Sequence, residues 1–351
     1  MTFESRGGSL SEPLDARIER YRPLVIEELR TVVGDSPARL FAWMRYHLGW
    51  EDADGSEVQA SPGKMLRSTA VLLAAEVVGG SAEAAAPAAA AVDLVHNFSL
   101  LHDDIEDDSA TRRGRATVWT FAGVPQAINT GDGMFTLARL AMHRLPEVGV
   151  EERRVVEAMR ELDEACLRLV EGQYLDMAFE RRDDVAIEEY VAMATGKTAA
   201  MFAAPFAIGA LLGGADGETV AALRAFGGHV GLAFQALDDL LDCWGTAAAL
   251  GKQPGGDLLA RKKTYPVLAA LEGAPSPARD ALAAAYAAVP VAGEDARALA
   301  SLVEAAGGRV AAQRWADEQV AGARAALDRA RLPAEARALL EEYLRVATGA
   351  R

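Results

Sequence analysis

Cysteine, histidine and aromatic side chains are scarce in this sequence, and each shortage narrows the possible functions. Its two cysteines, Cys166 and Cys243, each lie inside a helical pattern, so a disulfide framework or a thiolate zinc site is not expected and a reducing compartment is favoured. The five histidines form no Ser-His-Asp arrangement, and no cysteine nucleophile is apparent. Basic residues number 36 against 51 acidic ones, and the formal charge of −15 argues against nucleic acid as a partner.

Secretory and membrane signals are absent as well. The first twenty residues lack the apolar core of a signal peptide, and no uncharged apolar run reaches the length that spans a bilayer. We therefore expect a cytoplasmic protein without a transmembrane segment.

Strand alternation, βαβ patterns and solenoid repeats are also missing. The 351 residues are rich in alanine, only 6% are aromatic, and apolar residues recur at helical spacing, which predicts packed helices. We expect a flexible N-terminal arm over residues 1–14 and a single all-α domain over residues 15–351. Among the predicted helices are those at about residues 15–33, 63–79, 87–107, 126–143, 151–178, 187–194, 196–212 and 217–244.

Two acidic clusters with the same spacing stand out against this background. Asp103, Asp104 and Asp107 end one apolar run, and Asp238, Asp239 and Asp242 lie in another. In a helix, the first and third members of each cluster share a face, where like charges repel unless a cation lies between them. One such cluster is usually a solvated helix end. Two of them predict a pair of Mg²⁺-binding walls that face one diphosphate, because Mg²⁺ commonly bridges carboxylates to phosphates.

Basic residues form smaller groups that suggest anion sites. Lys64 and Arg67 share the start of a predicted helix, where the helix dipole disfavours cations unless an anion is bound. A solvated basic pair is the alternative interpretation. Arg112, Arg113 and Arg115 follow the first acidic cluster and suit bidentate phosphate contacts.

Two further lysines lie near glycines. Lys197 follows a glycine at the start of an apolar helix, and Lys252 lies in a glycine-rich loop after the second acidic cluster. That loop is either a lid over phosphates or a plain linker.

The combination suits a substrate with a diphosphate head and a hydrocarbon tail. Metal ions and lysines would stabilise a departing diphosphate. An apolar interior would shield the resulting carbocation from water.

The motifs resemble those of the trans-isoprenyl diphosphate synthases of the polyprenyl synthetase family, which includes farnesyl and geranylgeranyl diphosphate synthases. The resemblance covers about residues 20–345. It includes DDIED at Asp103–Asp107, RRG at Arg112–Gly114 and FQALDDLLD at Phe234–Asp242. Met65 and Ser68 depart from the Arg and Pro that many members carry, and Glu106 and Asp108 make the first motif unusually acidic.

The resemblance implies a role for each group of residues. Three Mg²⁺ ions, with Mn²⁺ as a possible substitute, would be bound by Asp103, Asp107 and Asp238, helped directly or through water by Asp104, Asp239 and Asp242. The allylic diphosphate would contact Arg112, Lys197 and Lys252, and isopentenyl diphosphate would contact Lys64, Arg67, His96 and Arg113. Thr198 and Gln235 would line the carbocation beside the catalytic Lys197, and Gln173 and Asp176 would support the site.

The resemblance also implies a mechanism and an architecture. The allylic diphosphate would ionise, the isopentenyl double bond would attack the cation, and the departing diphosphate would take the proton. The expected fold is a bundle of long antiparallel helices around a central cavity, usually in a homodimer.

Phe98 is the candidate that sets product length. It lies five residues before Asp103, about a turn and a half along the predicted helix, whereas Ser99 at the fourth position is small. In the family, bulky residues at these positions limit chain length, which predicts a C20 product, geranylgeranyl diphosphate, with C15 as the second choice. The alternative is that Phe98 is an ordinary core residue.

Two other functions are compatible with parts of the pattern. A class I terpene cyclase also ionises a prenyl diphosphate in an all-α fold, but it needs no second diphosphate site. A non-catalytic subunit of a heteromeric synthase commonly lacks one aspartate-rich motif, and both are intact here.

Overall fold

The computed structural model describes residues 10, 12–58, 63–246, 254–288 and 295–349. Regular structure in these ranges is helical apart from one small hairpin, so the prediction of an all-α fold is confirmed. The helices are α1 (Leu14–Val33), α2 (Arg39–His47), α3 (Leu66–Val77), α4 (Ala82–Glu106), α5 (Val118–Ala122), α6 (Val124–Met142), α7 (Glu152–Phe179), α8 (Ile187–Ala194), α9 (Ala200–Gly213), α10 (Gly217–Trp244), α11 (Gly256–Leu259), α12 (Tyr265–Glu272), α13 (Pro277–Ala287), α14 (Ala296–Ala305), α15 (Gly308–Arg329) and α16 (Ala334–Thr348). The hairpin strands are β1 (Thr111–Arg112) and β2 (Arg115–Ala116). A 3₁₀ turn covers Leu145–Val148, and a wide π-helical turn covers Thr195–Ala199.

The chain forms two compact units, each assembled from separate stretches of sequence. The first unit takes its described residues from Met1–Glu164, Ala204–Arg224 and Arg329–Glu342. The second takes them from Ala165–Ala203, Ala225–Asp328 and Tyr343–Arg351. The expectation of one domain from residue 15 onward stays a prediction, and most of the expected arm lies outside the described residues.

Helix α4 is the central element of the first unit. Every residue from 85 to 95 is buried, and α4 packs against α1, α3 and α6. The helix begins at Ala82 because the Ser81 hydroxyl accepts a hydrogen bond from the Ala84 N–H (3.2 Å). The predicted start near Pro87 is therefore wrong, and that proline lies inside the helix. The packing of α4 against α1, α3 and α6 fixes the position of its C-terminal end, which carries the first acidic cluster.

Aromatic rings organise the core of the second unit. The Tyr265 and Trp315 rings stack with centroids 4.3 Å apart, and the Tyr190 ring lies 6.0 Å from each of them. Tyr190 is almost completely buried, beside Phe179 and Ala236. The position of its hydroxyl group is therefore set by close packing.

By length and composition alone, three segments could cross a membrane. They are Ala82–Glu106, Ile187–Gly213 and Gly217–Trp244. In α4, 78% of the most apolar window is buried inside the protein, so core packing accounts for its composition. The expected lack of a transmembrane segment stays a prediction.

Candidate active site

The first acidic cluster presents its three carboxylates differently. Asp104 is only 1% exposed, and its Oδ1 accepts a hydrogen bond from Arg112 Nε at 2.8 Å. Asp103 is half-buried and Asp107, at the C-cap of α4, is exposed. Burial raises the pKa of Asp104, an effect that the Arg112 guanidinium opposes. Asp103 and Asp107 are thus the more solvent-accessible members of the cluster, while Asp104 is paired with Arg112.

The three arginines that follow belong to a tight hairpin. Arg113 and Gly114 both have positive φ (52° and 76°) and form its two-residue turn, while Arg112 pairs with Arg115. Arg115 donates to the carbonyls of Tyr46 (2.9 Å) and Glu51 (2.7 Å). Arg115 therefore anchors the hairpin, and Arg113 lies at its tip.

A cavity of about 270 Å³ opens beside this hairpin. Its lining is rich in cations and includes Gly63, Arg112 and Arg113 together with the carboxylate of Asp104. His47 of α2 also lines it, and burial, followed by the charges of Arg112 and Arg113, lowers the pKa of His47 to about 3. The imidazole is therefore neutral. No sequence pattern singles out His47, because only the fold brings α2 to the hairpin.

His96 and Arg67 meet near the same arginines. The Arg67 Nη1 and His96 Nε2 atoms lie 3.4 Å apart. Burial, then the charges of Arg67 and Arg113, holds the pKa of His96 well below its ordinary value. Buried Asp93 accepts a hydrogen bond from the Ser68 hydroxyl (3.3 Å), and burial raises its pKa to about 6. Asp93 is a buried carboxylate to which sequence reasoning assigned no role.

The position of Lys64 differs from the prediction, which placed it in the first turn of a helix. It is exposed and precedes α3, which starts at Leu66 after Met65 in a left-handed conformation (φ 46°). The left-handed residue interrupts the helix that was expected from residue 63. Arg67 alone lies in the first turn of α3.

Phe98 packs between aromatic neighbours. It is 7% exposed, and its ring meets Phe135 of α6 edge to face, with centroids 5.0 Å apart. The His102 ring lies 5.7 Å away on another side. The Ser99 hydroxyl donates to the His96 carbonyl (2.8 Å). The Phe98 ring of α4 and the Phe135 ring of α6 therefore pack together in the interior of the first unit.

The second acidic cluster, like the first, begins with a solvent-accessible aspartate that is followed by a buried one. Asp238 is exposed, whereas Asp239 and Asp242 are 3% and 2% exposed. Asp242 Oδ2 accepts a hydrogen bond from the Asp257 N–H (3.1 Å). It thus caps α11, a short helix within the loop that the sequence predicted as irregular.

Asp239 is surrounded by donors. The Tyr190 hydroxyl (2.6 Å) and the Tyr265 N–H (3.0 Å) donate to Oδ2, and the Gln235 amide donates to Oδ1 (2.9 Å). Burial raises the pKa of Asp239 to about 7, although the hydrogen bonds favour its ionised form. Both of its oxygens therefore accept hydrogen bonds within the protein.

Lys197 lies in the wide turn Thr195–Ala199, whose backbone approaches α7 closely. A Cβ atom at Gly172 would lie 2.1 Å from the Lys197 backbone nitrogen, and one at Gly196 would lie 2.6 Å from the Arg168 carbonyl oxygen. Such turns are frequent at functional sites. The close crossing sets Lys197 Nζ 2.5 Å from Asp176 Oδ2, with half-buried Gln173 on the same stretch of α7. Sequence reasoning assigned no role to Gly172.

Residues 55–303 match the polyprenyl synthetase family profile. The chain belongs to the polyprenyl synthetase family. It is 44% identical over 282 residues to a geranylgeranyl diphosphate synthase of Mycobacterium tuberculosis, which covers 80% of this chain and 79% of that protein. It is 40% identical over 299 residues to a (2E,6E)-farnesyl diphosphate synthase of M. tuberculosis, with 84% and 81% covered.

A solved structure of a polyprenyl synthetase from Streptomyces coelicolor superposes with a TM-score of 0.88 at 39% identity, covering 95% of this chain and 99% of that one. The resemblance predicted from the motifs is confirmed. The chain is a prenyltransferase, a prenyl diphosphate synthase with the all-α isoprenoid synthase fold.

Prenyl diphosphate synthases depend on divalent metals, and the carboxylates of this synthase fit that requirement. Among the residues that the structure describes, no three His, Cys, Asp or Glu side chains converge into a complete metal site. Asp103 is half-buried, Asp107 and Asp238 are solvent-exposed, and Asp104 Oδ2 is buried without a hydrogen-bond donor in the described ranges. Oxygen ligands that leave coordination positions for phosphate and water suit Mg²⁺.

The predicted site residues of the synthase divide between the two units. The first unit brings together the first acidic cluster, Arg67, His96, Arg112 and Arg113. The second brings together Asp176, Lys197, Thr198, Gln235 and the second acidic cluster. Lys252 lies outside the described residues.

Proposed function

We propose that this synthase condenses isopentenyl diphosphate with allylic diphosphates in a Mg²⁺-dependent reaction and releases an all-trans C20 product, geranylgeranyl diphosphate. The observation that carries the proposal is the difference in solvent exposure between neighbouring aspartates in each acidic cluster. The first aspartate, Asp103 or Asp238, remains accessible, while its neighbour, Asp104 or Asp239, is buried and bonded within the protein. An accessible carboxylate in each cluster is what a metal–diphosphate complex requires.

Mg²⁺ would be held by Asp103, Asp107 and Asp238, with three ions expected from the family and Mn²⁺ as a possible substitute. Asp104, Asp239 and Asp242 would help directly or through water. When bound, the metal supplies positive charge that stabilises diphosphate as a leaving group.

Isopentenyl diphosphate is assigned to the basic cavity of the first unit. Arg113 lies at the hairpin tip, and Arg67 and His96 face each other. Lys64 is exposed and free of the helix, so it can reach a bound anion. Guanidinium groups give charge-assisted, often bidentate contacts to phosphate oxygens. Because His47 and His96 stay neutral at pH 7, the positive charge of the cavity comes from arginine and lysine.

The allylic diphosphate is assigned to Arg112, Lys197 and Lys252. Asp176 holds the ammonium group of Lys197 at the wide turn. Next to it, Thr198 Oγ1 lies 2.6 Å from Gln235 Oε1, and both oxygens are available to line a carbocation. Since the pKa of His96 is so low, the histidine is a poor proton acceptor, and the departing diphosphate remains the better base.

The product length is assigned to Phe98, supported by Phe135. Phe98 precedes Asp103 on α4 and its ring packs edge to face on Phe135, so the two rings together would block a growing chain. A chain of four isoprene units is the proposed limit, with C15 and chains longer than C20 as alternatives.

A homodimer is proposed from one face of α7. Leu167, Val170, Tyr174 and Met177 recur at helical spacing and are 61%, 52%, 70% and 42% exposed. Burying such a stripe against a second copy would remove a large apolar surface from water.

The two cysteines form no disulfide, which agrees with the proposed cytoplasmic location.

The test is incubation of the purified protein with Mg²⁺, isopentenyl diphosphate and dimethylallyl, geranyl or farnesyl diphosphate, followed by product identification by mass. We expect geranylgeranyl diphosphate from each primer and no product when a chelator removes Mg²⁺. Consumption of geranylgeranyl diphosphate alone to a hydrocarbon would instead identify a terpene cyclase. No turnover with any primer unless a second subunit is added would identify a non-catalytic partner.

A further inference from the structure

A chain of hydrogen bonds connects the interior of the second unit to Thr198. The Tyr190 hydroxyl and the Gln235 amide both donate to the Asp239 carboxylate. The Thr198 hydroxyl in turn donates to the Gln235 amide oxygen. The three donor-acceptor distances are 2.6, 2.9 and 2.6 Å, all within the normal range. Tyr190 carries no role in the proposed function.

The direction of each hydrogen bond follows from the chemistry of the groups. In the structure Gln235 presents its NH₂ group to Asp239 Oδ1, which accepts the hydrogen bond. The amide oxygen then faces Thr198, and because an amide oxygen also only accepts, the single Thr198 proton must point at Gln235. The lone pairs of Thr198 Oγ1 are left for another partner. A reversed Gln235 amide would place two acceptors in contact at Asp239.

We propose that Tyr190 and Asp239 are positioning residues that orient the Thr198 hydroxyl, through Gln235, so that its lone pairs face the allylic carbocation. The inference rests on the proposed function, which assigns Thr198 and Gln235 to that cation. Oxygen lone pairs aimed at developing positive charge stabilise it without reorganisation, whereas a hydroxyl proton aimed there would oppose it.

Tyr190 is suited to hold the far end of this chain. Its ring is buried against Tyr265 and Trp315, which fixes its position. Burial, followed by the nearby Asp239 carboxylate, raises the pKa of Tyr190 far above its usual value, so the hydroxyl keeps the proton that it donates. The Tyr265 N–H, on the same carboxylate oxygen, is a main-chain donor that side-chain substitution leaves in place.

The test is Tyr190→Phe, which removes one hydroxyl and keeps the ring. We expect kcat to fall about 10-fold, while the KM values for both diphosphates stay within about twofold. The matched control is Tyr286→Phe, another buried tyrosine of the second unit, whose hydroxyl approaches the Lys262 carbonyl (3.4 Å). The control should keep wild-type kinetics. An equal loss for both variants, or a loss in Tyr190→Phe that comes with raised KM values and a lower Tm, would overturn the proposal.

A double-mutant cycle with Thr198→Val separates this proposal from the proposed function. If Tyr190 acts through Thr198, adding Tyr190→Phe to Thr198→Val should change kcat no further. Multiplying effects would overturn the proposal. If Thr198→Val lowers kcat and Tyr190→Phe does not, the positioning role alone is wrong. If Thr198→Val itself leaves kcat unchanged, the assignment of Thr198 to the cation fails as well.

Discussion

At the scale of single residues, the open aspartates should matter most for turnover. We predict that Asp103→Ala or Asp238→Ala lowers kcat by more than about 100-fold while far-ultraviolet circular dichroism stays unchanged, because each removes a proposed metal ligand and relieves like-charge repulsion within its cluster. The control is Asp183→Ala, which removes an exposed carboxylate in the turn before α8. Activity within a few-fold of the wild type in either cluster variant would contradict the two-wall arrangement.

The arginines at the basic cavity should act on one substrate. Arg67→Ala and Arg113→Ala are expected to raise the KM for isopentenyl diphosphate roughly 10- to 100-fold, since each removes a charge-assisted contact of about 1.5–3 kcal/mol. The KM for the allylic substrate should change far less. Arg153→Ala, on the exposed side of α7, is the control. Equal increases for both substrates would mean that the two anion sites are assigned wrongly.

Phe98 provides a test of product length. Phe98→Leu and Phe98→Ala should shift products from C20 toward C25 and longer, more strongly for alanine, because each removes part of the ring pair with Phe135. The alanine variant should also lose about 3–5 kcal/mol of stability. Products are identified by mass. General destabilisation would reduce the total yield without changing the distribution, and an unchanged distribution would place the limit elsewhere.

Sequence spacing singled out the two acidic clusters, but it did not predict how far each carboxylate is buried. Asp103 and Asp104 are adjacent in sequence, yet one is half-open and the other is buried on Arg112. That difference depends on how α4 packs and on where the hairpin returns, which are tertiary features. His47 and Asp93 were missed for the same reason, since neither belongs to a recognisable motif.

At the scale of elements, long helices were predictable and short irregular ones were not. The predictions for α1, α7, α8 and α10 agree with the structure to within one residue at either end. The hairpin was missed because two-residue strands show no alternation, although positive φ at Arg113 and Gly114 suits a two-residue turn. The wide turn at Lys197 has no sequence signature of its own, because it depends on the glycine contacts with α7.

The glycine contact itself can be tested. Gly172→Ala should destabilise the protein by roughly 1–3 kcal/mol, because its Cβ would overlap the Lys197 backbone and force α7 away from the wide turn. Since Lys197 moves with that turn, kcat/KM for the allylic substrate should also fall. Gly217→Ala, at the open start of α10, has no atom within 4 Å of the new Cβ and is the control. Calorimetry and steady-state kinetics measure the two effects.

At the scale of the whole molecule, the repulsion within the acidic clusters should link ligand binding to stability. The chain carries a formal charge of −15, and part of its negative charge is concentrated in the two aspartate clusters. Cations bound there relieve repulsion in the folded state, whereas in the unfolded chain the carboxylates separate and bind ions weakly. A ligand that binds only the folded protein stabilises it by about 2.7 kcal/mol at a hundredfold excess over Kd.

We therefore predict that Tm rises when Mg²⁺ and inorganic diphosphate are added together, and rises much less with either alone. The synergy is expected because the open carboxylates cannot complete the coordination of Mg²⁺ by themselves, and diphosphate supplies the missing oxygens. Asp238→Ala should abolish most of the joint increase while keeping the Tm of the unliganded protein, or raising it slightly through lower repulsion. Scanning calorimetry with matched ionic strength separates this effect from general screening. An equal increase with Mg²⁺ alone would show that the carboxylates hold the metal without the diphosphate.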